Sequence, residues 1–210
     1  MALRVETFEA GPIQTNAYLV ADDATGDAIV IDAPREGTGP VTAAAAAAGW
    51  RIDRIVITHA HWDHIADAAA MKAATNAPLA AHPLAAERMA SPGSKVFDLD
   101  FTIPPTRPDE LLDDGDRVTV GGHTFQVLHL PGHDPAHIAL YSKDDRVFLG
   151  GDVLFPGGHG TTEIPGADQA AMNRSIARLV ALPPDVKVYP GHGLPTTTGA
   201  ELGWMRGLGR

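Results

Sequence analysis

Cysteine is absent from the chain. Its absence excludes disulfides, thiolate metal ligands and a cysteine nucleophile together, so any bound metal must be held by nitrogen and oxygen. Positive charge is scarce: 16 Lys and Arg stand against 26 Asp and Glu, a formal net charge of −10. Such a surface repels a phosphate backbone, and no Lys/Arg-rich run offers a local exception. Nucleic acid is therefore not an expected partner. Apolar runs nowhere reach the ~18 residues that a membrane span needs. The opening MALRVETFEAGP also lacks the basic start and continuous apolar core of a signal peptide. No membrane association is expected, and the expected setting is cytoplasmic. What is present is a chain of 210 residues, 44% of them hydrophobic, enough to bury a substantial core. One domain over residues 1–210 is the expectation, and nothing in the sequence specifies an oligomer.

Short β-branched runs alternate with turn residues. Leu3 to Phe8, Thr15 to Val20 and Ala28 to Ile31 are expected to open the chain as a meander, broken at Gly11-Pro12 and Asp22 to Gly26. Pro40 to Gly49, with six consecutive alanines, reads as a helix with proline near its start and glycine past its end. Arg54 to Ile57 is a strand, and a helix is expected from about His64 to Thr75. A strand at Leu79 to Ala81 and a helix from Pro83 to Met89 follow. The Pro/Gly-broken stretch up to Pro108 reads as a surface loop anchored by Phe97, Phe101 and Ile103. Four strands are expected at Arg117 to Val120, His123 to Leu130, His137 to Ser142 and Arg146 to Leu149. A helix from Asp168 to Leu182, a strand at Val186 to Tyr189 and a helix at Gly199 to Met205 close the chain. Strand blocks mixed with helices suggest an α/β fold of two packed sheets with helices outside.

Between the strand ending at Ile57 and the next helix lies Thr58-His-Ala-His-Trp-Asp-His64. In extended backbone, residues two apart point to one side, so His59 and His61 face together. Asp63 and His64, at the turn into a helix, aim elsewhere. This geometry suits two neighbouring metal ions, and four ligands from one loop cannot enclose both. Further candidates follow apolar runs at Leu130-Pro-Gly-His133, Gly150-Gly-Asp152 and Tyr189-Pro-Gly-His192. Imidazole and carboxylate suit zinc first, with iron and manganese as alternatives, and a catalytic ion keeps a position open for water.

With Ile31-Asp32, THAHWDH, LPGHDPAH, GGDVLF and YPGHG in order, the chain resembles the metallo-β-lactamase superfamily over nearly its whole length, and within it the glyoxalase II-like hydrolases. The resemblance implies a four-layer αβ/βα sandwich with a metal site at one edge between two sheets. It implies that His59, His61 and His133 hold one metal, that Asp63, His64 and His192 hold the other, and that Asp152 bridges them. Two close cations deprotonate a bound water near neutral pH, giving a hydroxide that attacks a carbonyl, with Asp63 and Asp152 positioned to orient or relay its proton. Asp32, Thr58 and His137 are expected to fix the imidazoles from behind. His82, His123 and His129 are expected to be structural.

The expected partner is a small molecule. Trp62, Phe155, His159 and Thr161 are the candidate substrate contacts, from the ligand loop and the glycine-rich stretch after Asp152. Thr161 stands where superfamily members acting on glutathione thioesters often carry Lys or Arg, and a neutral side chain does not clamp a carboxylate. The added C-terminal helical region of glyoxalase II proper is not expected here, since few residues follow the last ligand-type histidine. The expected activity is glyoxalase II-like hydrolysis of a small thioester or ester, with the thiol carrier left open. The alternative is a mononuclear iron persulfide dioxygenase using His59, His133 and Asp152. A β-lactamase and an RNA-processing nuclease rank below both.

Overall fold

Sheet pairing begins where the sequence places its β-branched runs. The computed structural model describes residues 2–92 and 99–208. β1 (Leu3–Ala10), β2 (Thr15–Asp22) and β3 (Asp27–Ile31) form the expected antiparallel meander. The chain then crosses through α1 (Thr38–Ala48) to β4 (Arg51–Val56), which runs parallel to β3. Two short helices, α2 (Trp62–Ile65) and α3 (Ala68–Thr75), lead to β5 (Leu79–Ala81). A 3-10 turn at Pro83–Ala85, α4 (Ala86–Ala90) and β6 (Glu110–Leu111) complete this half. The first sheet has the order β1-β2-β3-β4-β5-β6.

The second half repeats the plan. β7 (Arg117–Val120), β8 (His123–His129), β9 (Ile138–Ser142) and β10 (Val147–Gly151) are antiparallel neighbours. α5 (Gln169–Leu179) carries the chain across to β11 (Lys187–Pro190), parallel to β10. β12 (Thr196–Thr197) pairs with β11 at the edge, and α6 (Thr198–Met205) follows. The order is β12-β11-β10-β9-β8-β7.

Burial shows how these elements stack. Ile29, Ile31 and Val56 of the first sheet share one buried cluster with Phe125, Val127, Leu140 and Leu149 of the second. On the outer face of the first sheet, Leu19, Val30 and Ile55 pack with Val41 and Ala45 of α1 and Met71 of α3. On the outer face of the second, Phe148 and Val188 pack with Met172, Ile176 and Leu179 of α5. The result is the αβ/βα sandwich, and it explains why all eight residues of β2 are buried: both faces of that strand are covered. The alanine-rich α1 fits this role, since small side chains allow close approach to the sheet. Across the seam, Asn16 Nδ2 donates to Pro190 O at 3.0 Å and to Gly193 O at 2.9 Å, and Tyr18 Oη donates to Pro190 O at 2.6 Å.

Several expectations need correction. The helix expected from His64 to Thr75 is broken at Ala66-Asp67, because Asp67 serves tertiary partners: its N–H donates to Ala33 O at 2.8 Å and its carboxylate accepts from Thr38 Oγ1 at 3.0 Å. The helix expected to reach Leu182 stops at Leu179. β6 and β12 were not anticipated; each is two residues long and owes its place to a partner strand. Of the loop anchors, Ile103 is buried and Phe101 packs partly against the first-sheet core, while Phe97 lies outside the described residues. No helix among the described residues is long and apolar enough to cross a membrane.

Candidate metal centre

The ligand-type residues all come from strand ends at one edge of the seam. After β4 the buried Ile57-Thr58-His59-Ala60 run stays non-helical, and His61 caps α2 in extended backbone (φ −70°, ψ 149°). Asp63 and His64 fall in the first turn of α2, which separates their direction from that of His59 and His61, as the spacing predicts. The second sheet supplies His133 after β8, Asp152 after β10 and His192 after β11.

These seven side chains converge. Ligand atoms of His59, His61 and His133 lie within 4.8 Å of one another; so do those of Asp63, His64 and His192, and those of His59, His64 and Asp152. The Asp152 carboxylate faces both groups: Oδ2 lies 3.4 Å from His133 Nε2 and 3.6 Å from His192 Nε2, and Oδ1 lies 3.4 Å from His64 Nε2. His59 Nε2, His64 Nε2 and Asp152 Oδ1 are buried without a hydrogen-bond partner among the described residues. Leaving a buried polar atom unsatisfied costs about 1–3 kcal/mol, and three pointing into one space are the mark of a site built for something else. Lone pairs on imidazole nitrogen and carboxylate oxygen fit a divalent cation.

The opposite nitrogens of His59, His64, His133 and His192 are held. Asp32, at φ 60°, accepts from Thr58 N, from Thr58 Oγ1 and from His64 Nδ1, at 2.8, 2.8 and 2.7 Å. Since the single Thr58 hydroxyl proton goes to Asp32, His59 Nδ1–H donates to Thr58 Oγ1 at 3.0 Å, leaving the Nε2 lone pair of His59 toward the cluster. His133 Nδ1 donates to Thr161 O at 2.8 Å and His192 Nδ1 to Ile13 O at 3.2 Å. His137 Nε2 accepts from Asp152 N at 2.9 Å and so fixes the backbone that presents Asp152.

Charge is divided across the site. Burial, then the surrounding imidazoles, push His59 well below its ordinary value, and burial followed by His133 pushes His61 down to about 4. Burial likewise lowers His137 to about 3. Burial opposes ionisation of Asp63, yet His64, His192 and Thr15 outweigh it and hold that carboxyl down to about 2. Asp152 is also held below the carboxylate range against its burial, chiefly by His64. The same carboxylates, with Asp32, raise His64 against its own desolvation, and Asp63 and Asp152 raise His192. The cluster thus pairs neutral imidazole at His59 and His61 with ionised carboxylate at Asp63 and Asp152.

A family model described as the metallo-beta-lactamase superfamily matches residues 10–192. The chain belongs to the metallo-β-lactamase superfamily. Superfamily members are generally hydrolases and bind divalent metals. Among curated relatives, a hydroxyacylglutathione hydrolase from Cereibacter sphaeroides is 36% identical over 176 residues, covering 84% of this chain and 61% of that protein. The chain therefore spans about three fifths of that enzyme's length. Among solved structures, the BLEG-1 B3 metallo-beta-lactamase superposes with TM-score 0.87 at 29% identity, over 95% of this chain and 97% of that one. TTHA1623 in a di-iron-bound form superposes with TM-score 0.82 at 37% identity, over 93% and 96%.

The four candidate substrate contacts divide in their surroundings. The Phe155 ring sits 6.3 Å from the His192 ring, on a turn closed by Phe155 N→Gly158 O at 2.9 Å. Trp62 packs against Phe101, ring centres 6.0 Å apart, and so helps tie down the loop before Pro108. His159 Nδ1 meets Gly160 O at 2.8 Å and its Nε2 meets Gln169 Nε2 at 3.3 Å, so its ring is engaged with its own loop and α5. Thr161 O accepts from His133 Nδ1, and its Oγ1 accepts from Glu163 N at 3.2 Å. The structure also brings in residues the sequence did not single out. Thr15 Oγ1 donates to Asp63 Oδ2 at 2.8 Å, and Asp134 reaches His61; a threonine opening a strand and an aspartate in a PGHD turn carry no distinguishing signal alone.

One close approach is testable directly. A Cβ on Gly191 would overlap Asp152 Oδ1 and stand 2.8 Å from His64 Cε1. Gly191→Ala should fold yet take up less than half the wild-type metal, read by elemental analysis beside circular dichroism. Wild-type metal content in a folded Gly191→Ala protein would show that this contact is unimportant.

Proposed function

We propose that the chain is a dinuclear metal-dependent hydrolase acting on a small thioester or ester, in the manner of glyoxalase II. The observation that carries this is the convergence of His59 Nε2, His64 Nε2 and Asp152 Oδ1, buried and unpartnered, within seven ligand-type side chains. In this reading His59, His61 and His133 hold one ion, Asp63, His64 and His192 hold the other, and Asp152 lies between them. The ions, zinc first and iron or manganese as alternatives, would supply Lewis acidity toward a carbonyl and an acidified water.

The chain's own residues do the rest. Asp32, Thr161 O and Ile13 O hold the far nitrogens of His64, His133 and His192, so that each presents a fixed lone pair. Asp63, anchored by Thr15, and Asp152, anchored by His137, are the carboxylates placed to orient a water and accept its proton. Phe155 walls the side next to His192. Both sheets contribute to this centre, which supports treating residues 1–210 as one domain. The hydroxyacylglutathione hydrolase relative favours a thioester. The neutral Thr161 favours a carrier other than glutathione.

Metal analysis of the purified protein, joined to assays on S-lactoyl thioesters and on glutathione persulfide with an oxygen electrode, tests the reading. Two metals per chain, thiol release without oxygen uptake, and loss of turnover after chelation are expected. One iron per chain with oxygen consumption would replace the hydrolase by the dioxygenase.

A further inference from the structure

Asp134 is 1% exposed, and the hydrolase reading so far gives it no task. Its Oδ2 lies 3.4 Å from His61 Nε2 and is bonded on its other side by Arg88 Nη1 of α4. Its Oδ1 accepts from Ala136 N at 2.7 Å. His61 Nδ1 points the opposite way, 2.9 Å from His133 Nε2 and so toward the ligand cluster. Thus His61 has one nitrogen toward the candidate metal position and the other toward a buried carboxylate.

We infer that Asp134 and Arg88 form a positioning pair for His61, favouring the tautomer with its proton on Nε2 and leaving Nδ1 as the metal-binding nitrogen. This rests on the reading of His61 as a ligand. At 3.4 Å the contact is longer than a normal N–H···O bond, so Asp134 acts on the neutral His61 ring chiefly by electrostatic attraction of its Nε2–H. A buried carboxylate so placed needs a countercharge. Arg88 provides it from a side chain that is 38% exposed. The arrangement parallels Asp32 behind His64, so each half of the centre has one imidazole backed by a carboxylate. In the first half that carboxylate is tied to a different element, α4, which lies outside the ligand loops.

A bland alternative exists: Asp134 shapes the turn through Ala136 and pins α4 to it, with no bearing on His61. Cobalt(II) binding separates the two. Equilibrium dialysis of the metal-depleted protein against cobalt(II), with wild type, Asp134→Asn, Arg88→Gln and Arg88→Lys, gives site-by-site affinities. Asp134→Asn retains an oxygen for Ala136 N, so the turn should survive even if Asp134→Ala fails to fold. Wild type should bind two ions. Asp134→Asn should weaken one of them by about 10–100-fold and leave the other within about twofold. Arg88→Gln should move the same way and Arg88→Lys should restore most of the loss. In a His61→Ala background, Asp134→Asn should add nothing further. Equal weakening of both sites, unchanged binding in Asp134→Asn, or full additivity with His61→Ala would overturn the inference. Failure of wild type to bind cobalt would instead overturn the metal reading beneath it.

Discussion

Asp152→Ala should lose at least one of two bound metals and about 10³-fold or more in thioester hydrolysis, some 4 kcal/mol of barrier. The carboxylate is 6% exposed and faces His64, His133 and His192 at 3.4 to 3.6 Å, so no other side chain can take its place without moving a strand end. The variant should still fold, because Asp152 N keeps its bond to His137 Nε2 and the strand pairing of β10 is untouched. Elemental analysis and a thioester assay on the same preparation decide the matter. A folded Asp152→Ala protein with two metals and more than a tenth of wild-type turnover would refute the bridging role.

The second large effect is on stability. Asp32→Ala should destabilise the metal-free protein by about 3–5 kcal/mol, the range for removing one partner of a buried ion pair. Asp32 is 1% exposed and is the acceptor for two donors from Thr58 and one from His64, all buried. Its backbone also sits at φ 60°, a conformation that Asp tolerates better than Ala. Urea titration in the presence of chelator isolates this loss from any metal effect. Asp32→Asn, which keeps an acceptor for Thr58 N but not the charge opposite His64, should fall between the two. A shift below about 1 kcal/mol for Asp32→Ala would mean that the network behind the ligand loop contributes little to folding.

Most strand positions and the seven ligand-type residues were legible because they depend on short-range pattern. A β-branched run followed by Gly and His or Asp announces a strand end that delivers a polar side chain, and this held at His133, Asp152 and His192 alike. What escaped depends on partners distant in the chain. β6 is only Glu110–Leu111, and it is a strand because Ala80 and Ala81 of β5 lie beside it. The break at Asp67 reflects Ala33 and Thr38, some thirty residues earlier. Asp134 gains significance only from Arg88 and His61, which reach it from other elements. Thr161 is a candidate through its side chain, whereas its bond to His133 runs through its carbonyl, a distinction that no residue type reveals.

The seam itself has a further meaning. Four of the seven ligand-type residues hang from the first sheet and three from the second, and the direct ties between the sheets near them include the bonds from Asn16 and Tyr18 to the β11 end, His192 Nδ1 to Ile13 O and Ile138 N to Thr58 O. Ions bound there would rivet the two halves of the sandwich, joining chain segments as far apart as His59 and His192. Metal occupancy and cohesion of the halves then become a single thermodynamic linkage. A ligand at about a thousand times its Kd adds roughly 4 kcal/mol to the folded state. Scarcity of metal would therefore shorten the lifetime of the protein as well as silence it.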